Sequence, residues 1–132
     1  MYAPDGIDRQ LSVGGRSWDL ELVSDQERCE ELVTELDPVA VHSAPPCTKV
    51  CSLAPYDGQP GYDAQAFERA VGMIEWTVQL IRKRVRVGGG GSLESPQQAR
   101  TWALSCVLLF FGTLLCPKPG RHFANPHMCC YN

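Results

Sequence analysis

The feature that most constrains this chain is a double proline directly after a short β-prone run, Val39-Ala40-Val41-His42-Ser43-Ala44-Pro45-Pro46-Cys47-Thr48. Two consecutive prolines remove two backbone donors and fix φ twice, so neither a helix nor a central strand can continue through them. The residue ahead of each proline is pushed to extended geometry as well. A strand over Val39–His42 must therefore stop, and Cys47 is presented on a stiff, pre-shaped loop at its end. A nucleophile on such a loop is held with little loss of freedom. The same pattern also describes a rigid turn with an inert thiol.

The chain has 132 residues, of which 44% are hydrophobic and 20% charged. These values match a globular domain with its own core and not a disordered segment. A net charge of −3 gives no overall basic surface with which to neutralise phosphates, so autonomous tight binding of nucleic acid is not expected. Seven cysteines are present, an odd number. The first residues, Met1-Tyr2-Ala3-Pro4-Asp5-Gly6, lack the basic and apolar regions of a signal peptide, so reduced thiols and an intracellular site, nucleus or cytoplasm, are expected. The longest apolar run, Ala103–Cys116, is shorter than the ~20 residues that a bilayer-spanning helix needs and reads as a buried helix or strand.

Pattern along the chain alternates between strand and helix. Residues 1–17 have no sustained period and read as an irregular segment. Trp18–Val23 alternates Trp, Leu and Leu with Asp and Glu, which predicts a short strand. Ser24 with Glu27 three residues later reads as a capping box opening a helix to Leu36, with Cys29, Leu32, Val33 and Leu36 on its apolar stripe. Residues 43–62 form a proline- and glycine-containing loop of functional length. Ala64–Arg84 is the longest helical pattern, carrying Phe67, Val71, Ile74, Val78 and Ile81 at helical spacing. Arg82, Lys83, Arg84 and Arg86 gather at its end, where the helix dipole favours cations, and read as a solvated helix end.

Gly88–Gly91 breaks that helix and lacks the Lys-Ser/Thr of a phosphate loop. Ser92-Leu93-Glu94 follows as a short segment, and Ser95-Pro96 opens a further helix through Trp102. The order implies a parallel sheet with helical crossovers. Residues 18–116 would be the α/β domain and 117–132 an irregular tail. Cys47 follows one strand and Glu94 ends the next. Parallel neighbours joined through a helix release their chains at the same edge, where sites of α/β proteins form. A thiol and a carboxylate meeting there make a plausible nucleophile and proton-handling pair.

Ser43-Ala44-Pro45-Pro46-Cys47-Thr48-Lys49-Val50-Cys51-Ser52 resembles the Pro-Pro-Cys-Gln-x-Phe-Ser loop of DNA cytosine-5 methyltransferases, and more closely their degenerate relatives in retroelement-type polyproteins. Leu93-Glu94-Ser95-Pro96 is similar to the family's Glu-Asn-Val or Glu-Asn-Pro element, and Trp18-Asp19-Leu20 to its strand with an acidic cofactor contact. The resemblance implies a partial Rossmann-like methyltransferase fold, three-layered around a small parallel sheet, with S-adenosylmethionine as cofactor and DNA as partner. It makes Cys47 the thiolate that attacks C6 of a flipped cytosine and Glu94 the carboxylate that holds N3. Asp19 and Pro45 would lie against the cofactor, and Pro46, Thr48 and Ser52 against the base.

Several family elements are replaced. Thr48 stands for the usual Gln, Val50 for the aromatic, Cys51 for Ser and Ser95 for Asn. Only Val13-Gly14-Gly15 stands where the glycine-rich cofactor turn belongs, so the chain resembles a fragment or degenerate copy. The competing expectation is a structural or interaction module in which the Pro-Pro-Cys loop is inert. A zinc site from Cys47, Cys51, His122, His127, Cys129 and Cys130 lacks the paired-knuckle spacing, and no metal is expected.

Overall fold

A computed structural model describes residues 18–113 and 115–122. Helix α1 (Val23–Leu36) leads to strand β1 (Ala40–Ser43), helix α2 (Ala64–Arg86) and strand β2 (Gly90–Leu93). A 3₁₀ turn (Arg100–Ala103) and helix α3 (Ser105–Phe111) complete this mixed α/β arrangement. Strands β1 and β2 pair parallel, with Ala40 opposite Gly90, Val41 opposite Gly91, His42 opposite Ser92 and Ser43 opposite Leu93. The expected irregular segment 1–17, with Val13-Gly14-Gly15, lies outside the described residues, as does the end of the tail from residue 123.

The strand expected over Trp18–Val23 does not form; those residues turn into the start of α1. Side chains of α1 take the polar groups that a strand partner would have used. Asp25, itself buried, accepts the Asp19 N–H at 2.7 Å, and Gln26 Nε2 donates to the Leu20 carbonyl at 2.8 Å. Trp18 is then free of any sheet and buries its indole with Cys29 and Leu80. The expected capping box is not used either: Leu22 holds the cap position of α1 without a side-chain bond, and Ser24 lies inside the helix. The helix ends where Asp37 takes a left-handed φ of 44° and its N–H reaches the Val33 carbonyl, just before Pro38.

Helix α2 is the centre of the molecule. Asp63 caps it by accepting the Ala66 N–H at 3.0 Å. Ile74, Val78 and Ile81 pack with Val50, Val107, Phe110 and Phe111, so this side of α2 gathers the Cys47 loop and α3. Its Leu80 and Trp76 side meets Trp18, Cys29, Val33 and Val41. Each fully buried aliphatic side chain stabilises by roughly 1.5–3 kcal/mol relative to exposure. The basic end of α2 is not simply solvated: Lys83 pairs with Glu30, Arg84 pairs with Asp37 at 2.6 Å, and Arg82 lies over the Phe110 ring. Much of its charge is therefore met within the fold.

The four glycines divide their work. Gly88 turns the chain out of α2 at φ +89°, whereas Gly90 and Gly91 are the first half of β2. A Cβ on Gly91 would stand 2.5 Å from Ile81 Cγ2, so glycine here lets α2 lie directly on the sheet. Helix α2 covers that face. On the other face Ala40, His42 and Ser92 are exposed, so the described residues build two layers of the three expected.

The helix expected from Ser95 through Trp102 is also replaced. The Pro96 carbonyl takes the Ala99 N–H at 2.9 Å and the Trp102 indole N–H at 2.8 Å, and only a 3₁₀ turn follows. The apolar run becomes the seven residues of α3, then turns at Gly112, which bridges antiparallel to Pro117. No helix among the described residues is long and apolar enough to cross a membrane.

Candidate functional site

The two strands leave the sheet at one edge, and the main chain ties them there: Glu94 N–H donates to the Ser43 carbonyl at 2.8 Å. From Ser43 the chain runs through Ala44, Pro45 and Pro46 to a tight turn. The Cys47 carbonyl accepts the Val50 N–H at 2.9 Å and the Cys51 N–H at 2.7 Å. Val50 anchors this turn, being 1% exposed in the main core. Cys47 is half-buried and packs against that core, as does Leu93, the residue ahead of Glu94. Pro46, Thr48 and Ser52 are exposed and Pro45 is half-buried. The Cys51 thiol donates to the Thr48 carbonyl at 3.6 Å.

Glu94 is exposed and its carboxylate is engaged. His42 Nε2 stands 3.5 Å from Glu94 Oε2, and His42 Nδ1 lies 2.8 Å from Ser92 Oγ. All three side chains sit on the uncovered face. The register explains the grouping, since His42 faces Ser92 and Glu94 follows two residues on, where side chains return to the same face. The sequence pattern marks His42 only as a strand histidine, because its partners come from a strand 50 residues away.

A residue that the sequence pattern does not single out joins the two halves of the edge. Arg100 N–H donates to the Val50 carbonyl at 2.6 Å. Its Nη2 reaches the carbonyl of Lys49 at 3.0 Å and those of Ala54 and Pro55 at 3.4 Å each. The guanidinium lies 4.5 Å from the Tyr56 ring centre and 5.0 Å from that of Phe67. No motif signals this, since all four acceptors are main-chain carbonyls of a loop distant in sequence. Lys49 is the cation nearest Cys47 in sequence, but part of its field falls on Asp63. The Asp63 carboxyl lies below its ordinary range, mainly through the Ala66 N–H, with Arg69 and Lys49 adding to it.

Asp19 stands apart from this edge, in the turn ahead of α1. Its N–H is bonded to Asp25 and its Oδ1 accepts the Glu21 N–H at 3.1 Å. With no strand at Trp18–Leu22, the described residues do not build a cradle for S-adenosylmethionine. Among the described residues no group of three or more His, Cys, Asp or Glu side chains is arranged for a metal ion. His127, Cys129 and Cys130 lie outside them.

Comparison with family models, with curated proteins and with solved structures finds no match. The functional reading therefore stands on the geometry of this edge.

Proposed function

We propose that this chain is a DNA cytosine-5 methyltransferase-like domain, an incomplete or degenerate copy that keeps the base-engaging edge of such a site. The observation that carries the reading is the tie between Glu94 N–H and the Ser43 carbonyl. That bond brings the chain leading to Cys47 and the residue bearing the carboxylate to one end of two parallel strands, with Cys47 packed against the core and Glu94 on the uncovered face. The residues that the resemblance assigns to the cofactor do not form a cradle, so the proposal concerns chemistry that Cys47 and Glu94 perform by themselves.

That chemistry is covalent addition to a pyrimidine. The Cys47 thiolate donates its electron pair to C6 of the ring and forms the S–C6 bond. The C5=C6 π pair shifts towards C4, the C4=N3 pair moves onto N3, and N3 takes a proton drawn from solvent and relayed through the Glu94 carboxyl. The result is an enamine whose C5 is nucleophilic, which splits one difficult step into two. A base must leave its stack to reach a half-buried thiol. Pro46, Thr48 and Ser52 would line its approach.

The test is a single-stranded oligonucleotide carrying 2-pyrimidinone, a base that accepts a thiolate at C6 without any methyl donor and needs no extrusion from a duplex. Mass spectrometry should find a covalent adduct at Cys47 that Cys47→Ser abolishes. An adduct surviving that substitution would remove Cys47 from the chemistry. One observation favours a second reading: Cys47 packs against the core, as an inert structural thiol would. A folded wild-type chain that forms no adduct establishes that reading, a structural or interaction module.

A further inference from the structure

We infer that Arg100 is a positioning residue of this edge, latching the loop that carries Cys47 onto the segment that follows Glu94. The loop from Cys47 to Tyr62 is held by short local turns, closed at Val50 and Cys51, Ala54, Gln59 and Tyr62, and Val50 is its buried anchor near the thiol. Arg100 adds four bonds to that loop. Its main-chain N–H takes the Val50 carbonyl, and Nη2 reaches the carbonyls of Lys49, Ala54 and Pro55. These acceptors lie on both sides of Cys51, so one planar cation gathers a stretch of seven residues, Lys49–Pro55. The three side-chain bonds all come from Nη2, while Nε is buried without one, so the guanidinium suits this task through its reach and through the flat face that stacks on rings. Tyr56 and Phe67 supply the rings.

The other end of the latch is equally fixed. Arg100 opens the 3₁₀ turn that follows Glu94-Ser95-Pro96. Ser95 Oγ–H donates to Thr101 Oγ1 at 2.9 Å, and the Trp102 indole N–H donates to Pro96. Thr101 is fully buried. Hence the place of the sulfur relative to the carboxylate depends on Arg100, although Arg100 itself acts only through the loop. A lysine could keep the charge, but it would stack poorly between two rings.

The role rests on the proposed chemistry for its purpose but not for its measurement. Wild-type, Arg100→Lys and Tyr56→Leu chains are treated with iodoacetamide under native conditions, and the alkylation rate of each cysteine is followed by mass spectrometry. The latch predicts that Cys47 and Cys51 react about tenfold faster in Arg100→Lys, through local opening of the loop, while Cys29 stays as protected as in wild type. Tyr56→Leu, at a half-exposed ring, should give a smaller rise confined to the same two thiols. Unchanged rates at Cys47 in folded Arg100→Lys overturn the inference, and so does a rise shared equally by Cys29. Should Arg100→Lys fail to fold, Tyr56→Leu decides by the same criterion. With 2-pyrimidinone DNA, adduct formation should fall in Arg100→Lys even as alkylation rises, an opposition that simple loss of stability does not produce. A wild-type chain that forms no adduct while alkylation shows the local rise overturns the proposed function and leaves the latch standing.

Discussion

Glu94 and Ser43 are joined by a 2.8 Å main-chain hydrogen bond one step beyond the last paired residues of the two strands. The bond continues the parallel ladder past Ser43 and Leu93, so both chains turn away from the sheet at the same level. Everything that follows on each side, the prolines and Cys47 on one and Ser95-Pro96 on the other, starts from that shared line.

The contact between β2 and α2 tests the packing that supports this edge. Gly91→Ala forces a methyl group to within 2.5 Å of Ile81 Cγ2 and should destabilise the protein by about 1–3 kcal/mol. Gly72, on an exposed position of α2, has nothing within 4 Å of a Cβ. Gly72→Ala should stabilise by about 0.5–1 kcal/mol through better helix propensity. Urea denaturation of the two variants should move the midpoint in opposite directions.

Acid should weaken the joint between α1 and α2. The Glu30 carboxyl lies below its ordinary value, chiefly through its bond from Lys83, with the Trp76 indole N–H also donating to it. A carboxyl depressed in the folded state contributes stability above its unfolded pKa, and that contribution disappears as pH falls through the folded value. Glu30→Gln should flatten the loss of stability as pH falls below the ordinary carboxyl range, relative to wild type. Lys83→Ala at neutral pH should cost no more than about 1 kcal/mol, because the pair is largely exposed.

Alkali acts at the neighbouring residue of the same helix. Burial, with a smaller contribution from the Glu30 charge, pushes the Cys29 thiol up to about 11. A thiol whose folded pKa is raised stabilises the fold fully below its unfolded pKa, and loses that contribution as pH rises towards 11. Stability measured from pH 8 to pH 11 should therefore fall more steeply in wild type than in Cys29→Ala.

What could be read from the sequence follows the range of the interactions involved. The double proline, the period of α2 and the crossover order predict β1, α2 and a parallel neighbour, because proline chemistry and helical spacing are local. Asp37-Pro38 likewise marks the end of α1. The strand over Trp18–Val23 is misread because its alternation is real while its backbone partners, Asp25 and Gln26, belong to the next helix. The capping box fails at Ser24 for the same reason, since that lead-in moves the cap two residues earlier, to Leu22. Gly90 and Gly91 read as breakers, yet both lie in the strand, and Ile81 of α2 requires the bare backbone of Gly91. At the site, Cys47 and Glu94 are visible as residue types at strand ends, whereas His42 and Arg100 take their roles only from partners about 50 residues away.

Cooperation between Cys47 and Glu94 is the central claim, and the rate of adduct formation at Cys47 measures it directly. With 2-pyrimidinone DNA, Glu94→Gln should leave the adduct at Cys47 but slow its formation by roughly 10²-fold, because the amide cannot deliver the proton to N3. Equal rates in wild type and Glu94→Gln would contradict the account, since the carboxylate would then share the edge with the thiol without sharing its chemistry.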